Sequence, residues 1–165
     1  MRRTQPPPST FSKGERRGSA LAHGSALLIG VPLTATGFLP LSMALIPAPV
    51  VAYFIGRAFR RRGQQWGSFQ GLQASLVHLM IVILVFLSSL SDDPWTNQLA
   101  LTAWTVAFLL FLYTLWGAFD TFLGYDFRYM FLGRLITRVS QANARRQELR
   151  RKWLEQRRAK KDGQS

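Results

Sequence analysis

His78 is the residue of this sequence best suited to hold a cofactor. It lies in an uncharged stretch, residues 63–91, and a histidine inside an apolar segment is by default a functional candidate. A neutral imidazole can bind haem iron or the magnesium of a chlorophyll-type pigment. The alternative is a structural histidine that is hydrogen-bonded to a hydroxyl or a carbonyl of a neighbouring helix. Because no second ligand is evident, no cofactor is expected overall, and pigment or haem at His78 is the minority hypothesis.

The composition leaves little material for a catalytic centre. The 165-residue chain has no cysteine, two histidines and eight scattered Asp and Glu residues. A disulfide scaffold, a thiolate metal site and a cysteine nucleophile are therefore excluded. Metal clusters and paired-carboxylate sites need several such groups to converge, and no base stands beside a nucleophile. The sequence therefore predicts that the protein is not an enzyme.

Long uncharged stretches predict the elements that position these side chains. They cover residues 18–56, 63–91 and 94–119 and are rich in Leu, Ile, Val and Phe. A helix needs about 20 apolar residues to cross a bilayer core of roughly 30 Å. The first stretch is about twice that length and contains prolines, so we expect two helices there, near 20–36 and 40–60, forming a short Pro-rich hairpin. Helices near 67–90 and 96–122 complete an all-α, polytopic membrane protein with four transmembrane helices.

The positive charges indicate how the four helices are oriented. All 21 Lys and Arg residues fall before the first helix, in the 57–63 connection or after the fourth helix. Four crossings place those three regions on one side, whereas Asp92 and Asp93 lie on the other. Cations mark cytoplasmic loops, so both termini are predicted to be cytoplasmic. A re-entrant first hairpin would give the same sidedness.

Four parts of the chain are predicted from these patterns. Residues 1–17 read as a flexible basic tail and residues 18–122 as the four-helix transmembrane domain. Residues 123–136 mix aromatic and charged side chains, which suits an amphipathic segment in the membrane interface. Residues 137–165 read as a basic helical tail, because apolar residues recur there at spacings of three and four.

Close packing and an intramembrane pair are further expectations. Gly63, Gly67 and Gly71 are spaced by four residues, a pattern that permits helices to approach closely, and Gly56 could do the same. Asp120 lies at the inner end of the predicted fourth helix. A carboxylate is costly in lipid unless it is paired or hydrated, so we expect a structural pair with Arg57 or Gln73.

The basic clusters are expected to bind anionic lipids or other membrane-protein subunits. A cation near an anionic membrane surface contributes about 1 kcal/mol. Nucleic acid is not an expected partner, because the clusters lack the interleaved aromatic rings on which bases stack. The candidate lipid- or partner-binding residues are Arg57, Arg60, Arg61, Arg62, Arg145, Arg146, Arg150, Arg151 and Lys152.

Short motifs resemble those of a known membrane-protein family. The segment Phe69-Gln70-Gly71-Leu72-Gln73-Ala74 resembles a Phe-His-x-x-Gln-Ala helix start, with Gln70 in place of His. Residues 124–136 resemble a closing Gly-x-x-Tyr-x-Tyr-Pro-x-x-x-x-Leu-Ile element, with Met130 in place of Pro, and residues 22–25 resemble an opening Ala-His-x-Ser. These motifs are typical of small bacterial helical membrane proteins of unknown function, which are distantly similar to the chloroplast and cyanobacterial translocon component called Tic-twenty. The resemblance covers about residues 20–136, and the family-motif and structural candidates are Phe69, Gln73, Asp120, Gly124 and Tyr129.

The resemblance implies a bacterial inner membrane or an internal, thylakoid-like membrane. It also implies a role in protein import or in the biogenesis of a membrane complex. Together with the missing catalytic constellation, it favours a non-catalytic accessory or assembly subunit of a larger membrane complex. The alternatives are a translocon-like component in protein import or insertion, and a subunit that binds pigment or haem through His78.

Overall fold

The computed structural model describes residues 11–37, 39–90 and 94–130, with backbone alone for residues 94–97. Every element in this part of the chain is helical, which confirms the all-α prediction. Four helical spans are long and apolar enough to cross a membrane, as predicted. They are the first span Lys13–Ala35, the second span Leu41–Arg61, the third span Gln65–Ser88 and the fourth span Gln98–Leu123.

Two of the spans are built from more than one helical segment. The first consists of the α-helix Lys13–Ser25, a π-helical turn at Ala26–Gly30 and the α-helix Val31–Ala35. The second consists of a short helix, Leu41–Ala44, and the helix Pro47–Arg61. The third span is one helix, and the fourth is the greater part of the helix Pro94–Leu123.

The first span begins seven residues before its predicted start at residue 20, because Ser12 caps it. The Ser12 hydroxyl accepts a hydrogen bond from the backbone N–H of Glu15 at 3.1 Å. This satisfies a donor that has no partner within the helix. Residues 13–17, which we expected in a flexible tail, are therefore helical.

Glycines with a positive φ lie at the turns between spans. Gly37, with φ +71°, follows the first span, and Gly63, with φ +73°, follows the second. After the second span, Gln64 N–H donates to the carbonyl of Phe59, which closes the helix end in the manner of a Schellman motif. Both turns fall where the sequence predicted connections.

Small residues bring the spans close together. Ala22, Ala52 and Ala74, from the first three spans, form a fully buried cluster. Gly56 and Gly71 bring the backbones of the second and third spans into contact, since a Cβ added to Gly71 would lie 2.5 Å from the Gly56 Cα. Close approach of this kind is how helices gain packing energy in lipid. The outward faces carry large exposed apolar side chains on every span, among them Leu28, Phe54, Phe86 and Phe119.

The chain continues without helix from residue 124 to residue 130, so the described part of the predicted 123–136 segment is irregular after Leu123, the last residue of the fourth span. Residues up to Arg128 belong to one compact unit, and a second begins at Tyr129. Residues 131–165 lie outside the described residues. The predicted basic C-terminal helix lies there, as do Arg145, Arg146, Arg150, Arg151 and Lys152.

Candidate functional site

A buried polar network joins the first span, the third span and residues 124–128. Its side chains are at most 2 % exposed at His23, Ser25, Gln70, Gln73 and His78. Polar groups inside a membrane bundle are costly unless they are hydrogen-bonded. The partners of these side chains therefore determine what the site can do.

Gln70 is the centre of the network. Its Oε1 accepts a hydrogen bond from Nε2 of His23 at 3.0 Å, since an amide oxygen has no hydrogen to donate. Its Nε2 donates to the carbonyl of Phe127 at 2.9 Å and to Oδ1 of Asp126 at 3.3 Å. Gln73, one turn further along, donates to the same Phe127 carbonyl at 3.4 Å. One amide thus joins the first span, the third span and the chain after the fourth span.

Asp126 receives two further hydrogen bonds and makes an ion pair with Arg128. Trp66 Nε1 donates to Oδ1 at 3.1 Å. Arg128 donates to Oδ2 from Nε at 2.9 Å, and its Nη2 lies 2.8 Å from the same oxygen. The Arg128 guanidinium lies 5.8 Å from the centre of the Phe69 ring, within the range of a cation–π contact. The carboxylate is therefore paired with Arg128 and held against the third span by Trp66 and Gln70.

The Phe127 side chain fills the space between the first and fourth spans. It packs edge-on against His23 at 5.7 Å and against Tyr113 at 5.2 Å between ring centroids. Gly117 provides the room, because a Cβ at this position would lie 2.8 Å from the Phe127 ring. A glycine on the fourth span is thus required for this ring to occupy its position.

His78 connects the first three spans near the middle of the third. Its Nε2 donates to the carbonyl of His23 at 3.1 Å, which leaves Nδ1 of a neutral ring as an acceptor. The Ser25 hydroxyl lies 3.2 Å from Nδ1, 3.0 Å from the Ala22 carbonyl and 3.1 Å from the Ala48 carbonyl. The π-helical turn of the first span begins directly after Ser25. Side chains that bond to backbone carbonyls are one cause of such irregular turns.

Glu15 extends the polar contacts to the start of the third span. Its Oε1 accepts a hydrogen bond from the backbone N–H of Gly67 at 3.0 Å. A carboxylate is favourable there because the first N–H groups of a helix have no partner within the helix and carry partial positive charge. Next to this contact, the rings of Phe11 and Trp66 stack at 4.0 Å.

The remaining predicted residues occupy different places. Gly124, with φ +91°, ends the fourth span, and Tyr129 is a buried residue of the second unit. Asp120 accepts a hydrogen bond from Trp116 on its own helix at 3.1 Å. The predicted pairing of Asp120 with Arg57 or Gln73 is therefore wrong, because the carboxylate binds the Trp116 indole one helical turn earlier. The C-terminal end of the second span carries exposed arginines that make no ion pair with any described residue. They are Arg57, Arg60, Arg61 and Arg62.

Chemistry at His78 would require the network to open. Nε2 is hydrogen-bonded, the Ser25 hydroxyl lies 3.2 Å from Nδ1 and the side chain is 1 % exposed, so haem or pigment could bind only after the packing around the ring opened. No group of three His, Cys, Asp or Glu residues able to hold a metal ion occurs in the described part of the chain. In this arrangement the site can hold the first and third spans together and can hold residues 124–128 against them.

Sequence reasoning did not identify His23, Ser25, Gln70 and Asp126 as partners. The available signal was the family resemblance, because its three segments, residues 22–25, 69–74 and the start of 124–136, meet in this network. Comparison of the chain with protein-family models, curated proteins and solved structures gave no match. The relationship to the Tic-twenty-like family therefore stays a prediction.

Proposed function

We propose that this protein is a non-catalytic accessory or assembly subunit of a larger membrane complex. The observation that supports it is the buried network, in which the polar groups of the spans bind to one another. His23, Gln70 and His78 are at most 1 % exposed, so a substrate has no access to them in this conformation. Polar groups used in this way hold helices together and specify one arrangement.

The proposal includes a topology. The four spans cross a bacterial inner or thylakoid-like membrane, the first two as a Pro-rich hairpin, with both termini in the cytoplasm. The distribution of the 21 cations supports this orientation. In that arrangement the Gly124–Arg128 segment lies at the cytoplasmic boundary, and we expect the basic C-terminal residues of the sequence to contact a partner subunit on the same side of the membrane.

The fourth span has the most surface left for a neighbouring subunit. Only 11 % of its apolar window is buried within the chain, against 33–39 % for the other three spans. Its exposed face carries Phe108, Trp116 and Phe119. Aromatic side chains of this kind are enriched in protein interfaces, and they are equally compatible with lipid. Partner identification therefore has to separate the two.

Purification from the native membrane tests the proposal. The protein, tagged and expressed at its natural level, is extracted in mild detergent, and the chains that co-purify are quantified by mass spectrometry. We expect the same membrane proteins in fixed stoichiometry and a complex well above the 18.7 kDa of one chain. A variant that ends at Met130 should lose part of these partners if the basic residues contribute.

Two outcomes would contradict the proposal. A protein that purifies alone or only with copies of itself would not be an accessory subunit. Ion conductance in liposomes, together with crosslinks to a polypeptide in transit, would favour the translocon-like alternative.

A further inference from the structure

A groove between the second and third spans lies at the end where the arginines cluster. Its volume is about 530 Å³. Arg57, Arg60 and Arg61 line it from the second span, and Ser68 lines it from the third. Its floor is formed where Gly56 meets the backbone of the third span, so no side chain fills it there.

The lining changes from charged to apolar along the groove. On the second span, Tyr53, Arg57 and Arg60–Arg61 succeed one another by about one helical turn, or roughly 5 Å. On the antiparallel third span, Ser68 precedes Leu72 by one turn, so its polar residue lies at the arginine end. Tyr53 is 47 % exposed and Leu72 is 38 % exposed at the apolar end. A phospholipid has the same order of parts, with a phosphate at one end and acyl chains at the other.

The groove has positive charge without a counter-charge. Among the described residues, no carboxylate lies within ion-pair distance of Arg57, Arg60 or Arg61. The Ser68 hydroxyl makes no hydrogen bond within the same part of the chain. Cations in the last turn of a helix stabilise it by interacting with the helix dipole, which accounts for Arg60 and Arg61. It does not account for Arg57, one turn earlier, or for the open groove beside it.

We propose that this groove binds one acidic phospholipid, with its phosphate between the arginines and Ser68 and its acyl chains along Tyr53 and Leu72. Guanidinium groups bind phosphate oxygens through paired, charge-assisted hydrogen bonds. The hydroxyl of Ser68 supplies a further donor, and the apolar end keeps the acyl chains out of water. The inference is independent of the proposed subunit role, because it depends only on this groove.

Native mass spectrometry of the purified, delipidated protein tests the site. The full chain in detergent is titrated with phosphatidylglycerol, with phosphatidylcholine and with inorganic phosphate. We expect one phosphatidylglycerol to bind saturably, and phosphatidylcholine and free phosphate to bind at least about tenfold more weakly, since each lacks either the net charge or the acyl chains. Equal binding of the two lipids, binding without saturation, or equal binding of free phosphate would overturn the proposal.

Arg62 provides a matched control, because it adjoins the cluster but does not line the groove. We expect Arg57→Ala to weaken phosphatidylglycerol binding about tenfold, and Arg57→Lys to recover only part of the loss because lysine cannot form the paired contact. Arg62→Ala should change binding less than about twofold, since in detergent no charged bilayer surface attracts it. A loss for Arg62→Ala equal to that for Arg57→Ala would show diffuse attraction and no site. Unchanged far-UV circular dichroism confirms that each variant is folded.

Discussion

Gly71→Ala is expected to force the second and third spans apart. The added Cβ would lie 2.5 Å from the Gly56 Cα and 2.6 Å from the Gly56 nitrogen, whereas ordinary contacts begin at 3.4 Å. Both neighbours are backbone atoms of a helix, so no side chain can rotate away. The helices must therefore separate by about 1 Å to restore normal contact distances.

The cost of this separation has two parts. Overpacking of a close-packed interior costs about 1–3 kcal/mol. One turn along the same contact, the Ser75 hydroxyl donates to the Pro49 carbonyl at 2.8 Å, and a shift of about 1 Å would take it beyond hydrogen-bond range. Such a bond between membrane helices contributes about 0.6 kcal/mol. We therefore expect the free energy of unfolding to fall by about 2–4 kcal/mol before the better helix propensity of alanine is counted.

Gly24→Ala is the matched control. Gly24 is also a buried helical glycine, but a Cβ there would meet its nearest neighbours only at 4.0 Å. Both variants gain the same helix propensity of about 1 kcal/mol, so this term cancels when the two are compared. Reversible unfolding in mixed detergent–SDS micelles, followed by circular dichroism, gives both free energies. If Gly71→Ala unfolds at the same SDS fraction as Gly24→Ala, the close contact does not hold these spans together.

Two further substitutions probe the polar network. Gln70→Leu keeps the volume of the side chain but removes its hydrogen bonds to His23, Asp126 and Phe127, so trypsin should cleave after Arg128 about tenfold faster or more, because the open state gains population. Gln65→Leu, at an exposed position, should leave the cleavage rate unchanged. Equal cleavage rates in the two variants would show that Gln70 does not hold the chain after the fourth span in place. His78→Ala should lower stability by about 2–4 kcal/mol through lost packing and hydrogen bonds. Protein from the native membrane should show no visible absorption band, and a band that His78→Ala removes would instead establish the pigment or haem hypothesis.

Hydrophobicity was sufficient to predict that there are four long apolar helices, because a bilayer core requires about 20 apolar residues for each crossing. The start of the first span was missed, since we took the charged residues 13–17 as the mark of a tail. A local signal was present in Ser12 and Glu15, which have the spacing of a capping box. In the structure Ser12 does cap the helix, but the Glu15 carboxylate binds Gly67 of the third span. Local rules could find the cap and could not find the tertiary contact.

The polar network was less predictable than the spans, because it consists of tertiary contacts that local sequence rules do not identify. Sequence reasoning singled out His78 and Gln73, but it treated His23 only as part of the motif at residues 22–25 and Asp126 only as part of an interfacial segment. These side chains meet at Gln70 because three separate segments pack against one another in a particular register. The hydrophobic periodicity of a single segment carries no information about that register. The π-helical turn after Ser25 has no recognised sequence signature here. Asp120 was expected to form the tertiary pair, but the structure places that role at Asp126, whereas Asp120 binds Trp116 of its own helix.

The hydrogen bond between Gln70 and Phe127 can form only late in the synthesis of the chain. The ribosome makes the first three spans well before Asp126 and Phe127, so Gln70 is synthesised before the two acceptors of its Nε2 exist. In the proposed membrane location, the Nε2 of Gln70 must be hydrated or shielded until the chain after the fourth span emerges, since lipid offers no hydrogen bond. The buried network is thus completed only when the residues that follow the fourth span have been synthesised.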